Sequence, residues 1–329
     1  MKHALIQTLL VLAAAGVSAG ASAQATSKEP AYPGKSIRMI VPFTPGSATD
    51  IIARIIGPKL VESWGRPVVT DNRPSAGGIV AFKIVAEATP DGHTLTTTGS
   101  NFSGSAALYA ATLPYDPVRD FAGITQIAST PLILVVAPSL GAKSVKELIA
   151  LAQQKPGQIN FGSTGLGSGP HYGGELFKLA AGINVVHVPY RGSPEVLTDV
   201  MAGRVHYVLS PILAAVPLIK SGRVLALGVT TAQRALPLPD VPTIAEAGLA
   251  GFEYQGWYGL LAPGKTPRKI INLLSREIGR IVELPDIKER IASLGAVAKR
   301  STPEDFDKLV HEEIKTRTKV WKAAGVKAE

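Results

Sequence analysis

Short runs of β-branched and aliphatic residues recur along the chain and alternate with stretches whose apolar positions repeat every three or four residues. Ile37 to Val41, Val68 to Thr70, Thr94 to Thr98, Leu132 to Ala137, Ile159 to Phe161, Val185 to Val188, Val205 to Leu209 and Val224 to Thr230 read as strands. Between them, Ser144-Val-Lys-Glu147 has the form of a capping box ahead of a helix with Leu148, Ile149, Leu151 and Ala152 on one face. Repeated β-α-β units predict mostly parallel, doubly wound α/β sheets, which bind ligands outside the carboxyl ends of their strands.

Towards the end the pattern becomes helical. Thr266-Pro267 is expected to start a helix with Ile270, Leu274, Ile278 and Ile281 on one face, and Thr302-Pro303 another carrying Phe306, Leu309, Val310 and Ile314. Both are expected to pack on the outside of a domain. The sequence has no internal repeat and no low-complexity linker, so a hinge of crossing strands is expected rather than a flexible tether.

The first residues change the picture of the compartment. A basic start at Met1 to His3, an apolar run from Ala4 to Val17 and a small-x-small site at Ala21-Ser22-Ala23 form a secretory signal peptide cleaved before Gln24. A periplasmic protein is therefore expected. The absence of cysteine rules out thiol nucleophiles and cysteine zinc sites. The formal charge of +9 is spread along the chain rather than clustered, which favours attraction of anionic solutes over nucleic-acid binding.

Three loops carry candidate chemistry. In VPFTPGSATD (Val41 to Asp50) a strand ends, Pro45, Gly46 and Ser47 make a loop, and Thr49 or Asp50 opens a helix with Ile51, Ile52, Ile55, Ile56 and Leu60 as its apolar face. Strand, glycine loop and helix start make an anion site, although the same spacing also suits an ordinary βα turn. Pro58 is expected to kink that helix. STGLGSGPH (Ser163 to His171) repeats the arrangement before a helix from Tyr172 to Ala181, with His171 either a ligand donor or a cap and packing residue. In VPYRGSPE (Val188 to Glu195), Arg191 is the one cation placed to pair directly with a carboxylate, and a structural arginine would look the same.

Other matches fail on chemistry. Gly165-Leu-Gly167 has Pro170 where a dinucleotide fingerprint needs its third glycine. Gly259 to Thr266 has Walker A spacing, but Pro263 has no N–H to offer a phosphate, and Leu260 and Leu261 look like a buried strand. His311-Glu-Glu lacks a second histidine, the histidines are scattered, and no metal or other cofactor is expected. No Gly-x-Ser-x-Gly elbow appears, so catalysis has no support.

Together with GRPVVTDNRPSAGG, PDGHTL, LPYDPVRDF, KSVKELIALAQQKPGQINF, VHVPYRGS, LPDVPTIAEAGL and WYGLLAP, these loops resemble the periplasmic solute receptors of tripartite tricarboxylate transporters, often called Bug receptors. The resemblance is collinear from about Tyr32 to the C-terminus. It implies a type II periplasmic-binding fold: a first domain of residues 31–130 and 253–329, a second of 131–252, joined by crossing strands. It also implies a small carboxylate ligand, held by main-chain amides and hydroxyls. Carried over by motif, the contacts fall on Phe43, Thr44, Pro45, Gly46, Ser47 and Asp50, on Ser100, on Ser163, Thr164, Gly167, Ser168 and His171, and on Tyr190, Arg191 and Gly192. Departures stand at Gly46-Ser47-Ala48, where many relatives have more glycines, and at Leu209-Ser210, where many carry Phe-Asp at the ligand's far end. The implied role is delivery by a monomer to membrane transporter subunits. The alternatives are reporting to a sensor kinase and an exported hydrolase.

Overall fold

The structure, a computed structural model, describes residues 32–327; the signal-peptide assignment lies outside them. Among the described residues eleven strands form two sheets. In the first, β1 (Ile37–Val41) pairs in parallel with β2 (Val68–Asn72) and β3 (Thr94–Gly99), Ile37 standing opposite Val68 and Arg38 opposite Thr94. In the second, β6 (Asn160–Ser163) pairs in parallel with β7 (Val186–Pro189) and β8 (Tyr207–Pro211).

The expectation of mostly parallel sheets needs correction, because each sheet is mixed. In the first, β10 (Gly256–Pro263) runs antiparallel between β3 and β4 (Phe121–Thr130), and the short β11 (Val297–Ala298) is antiparallel to β4. In the second, β5 (Leu132–Val136) lies antiparallel between β8 and β9 (Leu225–Val229). The reason is connectivity. β4 leaves the first sheet at Thr130 and, after Pro131 alone, enters the second as β5; the chain returns between β9 and β10. A strand that crosses without an intervening helix enters against the direction of the βαβ strands beside it. The two crossings are bonded together: Thr230 Oγ1 accepts from the Leu132 N–H at 2.9 Å and donates to the Tyr254 carbonyl at 2.8 Å.

The apolar pattern of β4 does not mark it as a strand. Its apolar residues Phe121, Ile124 and Ile127 fall at a spacing of three, because its pairing with β10 slips at two bulges that leave Ile124 and Ile127 unmatched. Each extra residue resets the alternation of faces.

Helices cover both faces of the first sheet. Met39 and Leu260 pack with α1 (Ala48–Trp64) and α8 (Arg268–Val282), while their neighbours Ile40 and Leu261 face α2 (Ile79–Ala86), α3 (Asn101–Leu108) and α10 (Pro303–Ala323). The second sheet alternates likewise: Ile133, Val135 and Val208 on one side, Leu134, Tyr207 and Leu209 on the other. Its helices are α4 (Val145–Gln154), α5 (Gly169–Ala181), α6 (Ser193–Met201) and α7 (Ile212–Lys220), and α9 (Pro285–Ser293) follows α8.

The helix starts follow the sequence in part. Ser144 Oγ accepts from Glu147 N at 3.2 Å, and Glu147 reaches back to Lys143 N. Thr302 caps Asp305 N at 3.1 Å. Thr266 does not cap α8; its hydroxyl donates to the Pro263 carbonyl at 2.7 Å, and Pro267 takes the N-cap position. The helical assignment of α1 continues unbroken through Pro58. α10 is not merely an outer helix, since its Arg317 and Trp321 are fully buried. Among the described residues no helix is long and apolar enough to cross a membrane.

Candidate functional site

The carboxyl ends of β1, β3, β6 and β8, the start of α6 and the two crossings converge on a cavity of about 40 Å3. From the first sheet come Phe43, Ser47, Ala48, Thr49, Ser100 and Asn101; from the second, Thr164, Gly169, Pro170, Ser193 and Pro211. The crossings supply Thr130, Leu132, Tyr254, Gly256, Trp257 and Tyr258. No Asp, Glu, Lys or Arg lines it.

Its polarity comes from helix starts instead. α1, α3, α5, α6 and α7 all begin at this cavity; at α1, α3 and α7 the N-cap residue (Ser47, Ser100 and Pro211) makes no side-chain capping bond, whereas the first N–H of α6, at Ser193, donates to Ser47 Oγ at 3.2 Å. The first N–H groups of a helix have no intrahelical acceptor. Together with the helix dipole they favour negative charge, by about 0.3–1 kcal/mol per helix at exposed ends and more where water is excluded. The Thr49 hydroxyl, 2 % exposed, has no partner among the described residues. The Ser100 hydroxyl accepts from Trp257 N at 3.2 Å, which leaves its proton for another acceptor. Amides and hydroxyls with no charged side chain on the wall give the cavity a positive local potential.

Asp50, also buried, is occupied elsewhere. Its carboxylate accepts from Gly46 N at 2.9 Å, Asn72 Nδ2 at 3.0 Å and Arg54 Nε at 2.9 Å. Burial alone would raise its pKa; the bonds from Arg54, Gly46 and Asn72 outweigh that and hold it below the usual carboxylate range. It braces the loop whose Phe43 and Ser47 reach the cavity. Gly46 has φ of 82°, the left-handed region that glycine adopts without strain.

The second loop is pinned in a similar way. Ser168 Oγ accepts from His171 N at 3.2 Å, and His171 Nδ1 accepts from Gly167 N at 3.2 Å. The His171 ring stacks on His187 at 4.0 Å and on Trp321 at 4.8 Å. Burial, with His187 and Lys178 adding to it, pushes the His171 pKa down to about 2, and burial with Lys178 brings His187 down to about 4. Both imidazoles are neutral at neutral pH, and His171 serves here in capping and packing. Ser163 Oγ lies 2.6 Å from His187 Nε2 and accepts from Gly165 N.

Of the residues singled out from the sequence, Phe43, Ser47, Ser100 and Thr164 line the cavity. Thr44, Ser163, Gly167, Ser168, His171 and Gly192 are not among the lining residues. Ser210 Oγ donates to the Pro211 carbonyl at 3.2 Å, and only Pro211 reaches the cavity. Pro45 is exposed, and Tyr190 turns its hydroxyl to Asp199 at 2.6 Å. Arg191 is exposed and absent from the wall, because the backbone at Gly192 packs on Thr44 and Ser47 and leaves the preceding side chain outside. Thr49, Asn101, Thr130, Ser193, Tyr254 and Trp257 were missed as site residues. For the last two, the aromatic cluster Tyr254 to Tyr258 at the start of an apolar strand was the available signal.

A sequence model described as tripartite tricarboxylate transporter family receptor matches residues 52–326. Protein BugT of Bordetella pertussis is 34% identical over 319 residues, 97% of this chain and 96% of that protein. The solved structure of Rhodopseudomonas palustris Rpa4515 with adipate superposes with a TM-score of 0.86 at 36% identity, covering 89% of this chain and 98% of that one. MatC (Rpa3494) of the same organism, with bound malate, superposes at 0.83 and 31% identity over 88% and 99%. With the family matched over most of its length and a cavity built of helix starts between two mixed sheets, the chain belongs to the solute-binding receptors of the tripartite tricarboxylate transporter family.

Proposed function

We propose that this receptor captures a small dicarboxylate in the cavity and delivers it to a tripartite tricarboxylate membrane transporter without altering it. One observation carries the reading: a cavity wall with no charged side chain onto which three helix starts without a side-chain cap (α1, α3 and α7) and the Thr49 hydroxyl, without a partner among the described residues, converge. Such a wall stabilises a carboxylate and offers an ammonium group no buried acid to pair with. The adipate and malate bound to the two similar receptors are dicarboxylates of this kind.

In this reading residues 31–130 with 253–329 form one lobe and 131–252 the other, and the lobes close over the ligand. Support comes from the small cavity, which has room for only a few waters, so a dicarboxylate enters by opening the crossings near Leu132, Thr230 and Tyr254. The site of action is the periplasm, reached through the signal peptide cleaved near Ala23. The test is a calorimetric comparison of succinate, malate, adipate, an aromatic carboxylate, aspartate and glutamate. Tightest binding by a dicarboxylate without an amine is expected; tightest binding by aspartate or glutamate overturns the ligand class. Ser210→Asp, which sets a buried negative charge beside Pro211, is expected to weaken dicarboxylate binding.

A further inference from the structure

Arg317 is a cation buried to 1 % exposure on α10, one residue-layer behind the cavity wall. Its Nη2 donates to Glu313 Oε1 at 2.6 Å and to the Tyr254 hydroxyl at 3.1 Å. The guanidinium lies 4.1 Å from the centre of the Tyr172 ring, and its Nε and Nη1 have no hydrogen-bond partner among the described residues. Burial would lower its pKa, but Glu313 and Tyr254 hold it above the ordinary arginine value, so the charge is permanent. Burying such a group has a cost that a purely apolar contact would avoid. Its placement therefore calls for a use.

Tyr254 supplies one. It lines the cavity, and its backbone is fixed at the crossing, with its N–H bonded to the Thr230 carbonyl at 2.7 Å and its carbonyl to the Thr230 hydroxyl at 2.8 Å. Its hydroxyl stands over the first residue of α5: a Cβ built on Gly169 would lie 3.3 Å from it, as would one built on Gly256. Both glycines line the same cavity. Because this oxygen accepts from Arg317, its own proton points elsewhere, and no acceptor for it exists among the described residues. A hydroxyl that accepts from a cation is polarised into a stronger donor. Glu313 completes the arrangement, since its second oxygen accepts from Trp257 Nε1 at 2.7 Å, and Trp257 is a further wall residue.

We propose that Tyr254 is a ligand-binding residue that donates its hydroxyl proton to a carboxylate oxygen in the cavity, and that the Glu313–Arg317 pair is the positioning element that aims and polarises it. This rests on the dicarboxylate reading above. The C-terminal helix thereby gives the uncharged cavity a cationic relay without exposing an arginine to the ligand.

The test is a double-mutant cycle by calorimetry with adipate and malate, melting temperatures being recorded for each protein. Tyr254→Phe removes only the hydroxyl. Arg317→Met with Glu313→Gln neutralises the buried pair together and keeps an acceptor for Trp257. Each change is expected to weaken binding about tenfold, as for a hydrogen bond to a charged group, and the combination is expected to be no worse than either. Binding by Tyr254→Phe as tight as wild type overturns the inference. Losses that multiply in the combination do so as well, since they would mean that the pair only supports the fold. Wild-type protein that binds no dicarboxylate sinks the underlying reading and this inference together; wild-type binding with an unaffected Tyr254→Phe sinks this one alone.

Discussion

The hydroxyl of Ser47 accepts a hydrogen bond of 3.2 Å from the backbone N–H of Ser193, so the loop after β1 in the first sheet is tied to the start of α6 beside the second. Beside it, Thr44 Oγ1 donates to Glu195 Oε2 at 3.0 Å. A Cβ built on Gly192, between those partners, would lie 2.0 Å from Thr44 Oγ1. These contacts join elements of different sheets, and hinge motion at the crossings would separate them.

Thr44→Val tests the contact without touching the cavity wall. Losing one partly solvated bond to a carboxylate should shift the balance away from the closed form and raise the apparent dissociation constant by roughly two- to tenfold. Calorimetry with adipate or malate measures this, and the melting point of the unliganded protein is expected to stay near wild type.

Gly104 on α3 offers a stronger block. A Cβ there would stand 2.0 Å from the Gly167 carbonyl oxygen, which belongs to the loop after β6. Gly104→Ala should hold the lobes apart, with affinity down by more than about tenfold because the competent form becomes rare. Small-angle scattering should then show compaction on ligand addition for wild type and none for the variant. Compaction of the variant at saturating ligand would contradict closure at this contact.

Asp50→Asn tests the brace under the first loop. With bonds from Gly46, Asn72 and Arg54 changed, the loss should be roughly 1–3 kcal/mol, less the share of Arg54, which is half-exposed and screened. The sign with pH follows from the lowered pKa of Asp50. The stabilisation is full above the unfolded carboxylate value of about 3.9 and is lost as pH falls through the lower folded value. The wild-type advantage in melting temperature should therefore be complete at pH 7 and shrink below about pH 4.

The segment with Walker A spacing is expected to bind no nucleotide. Its Gly259 packs under Phe306, where a Cβ would come within 2.3 Å of the ring, and a Cβ built on Gly264 would lie 2.2 Å from the Arg119 carbonyl oxygen. Leu260 and Leu261 are paired within β10. These glycines permit close packing of strand and loop, and no loop of free N–H groups remains. Calorimetric heats for ATP that vanish in Lys265→Ala would refute this.

The sequence by itself determined the elements whose signals are local. β-branched runs marked β1 to β3 and β5 to β9, and hydroxyl and glycine residues ahead of α1 and α5 marked loops that do reach the cavity, because strand propensity, turn chemistry and helix starts act over a few residues. The tertiary structure alone decided the rest. β4 was hidden because two bulges break its alternation, and the mixed sheets arise from crossings whose direction depends on partners far away in the chain. Arg191, the obvious cation, is turned outward by the packing of Gly192 on Thr44, whereas Arg317, which reads as one charge among many on an amphipathic helix, is buried behind Tyr254. The spacing of charges along a chain fixes neither which face of a helix is covered nor what covers it; that depends on the long-range packing of α10 against α3, Tyr172 and the crossing strands.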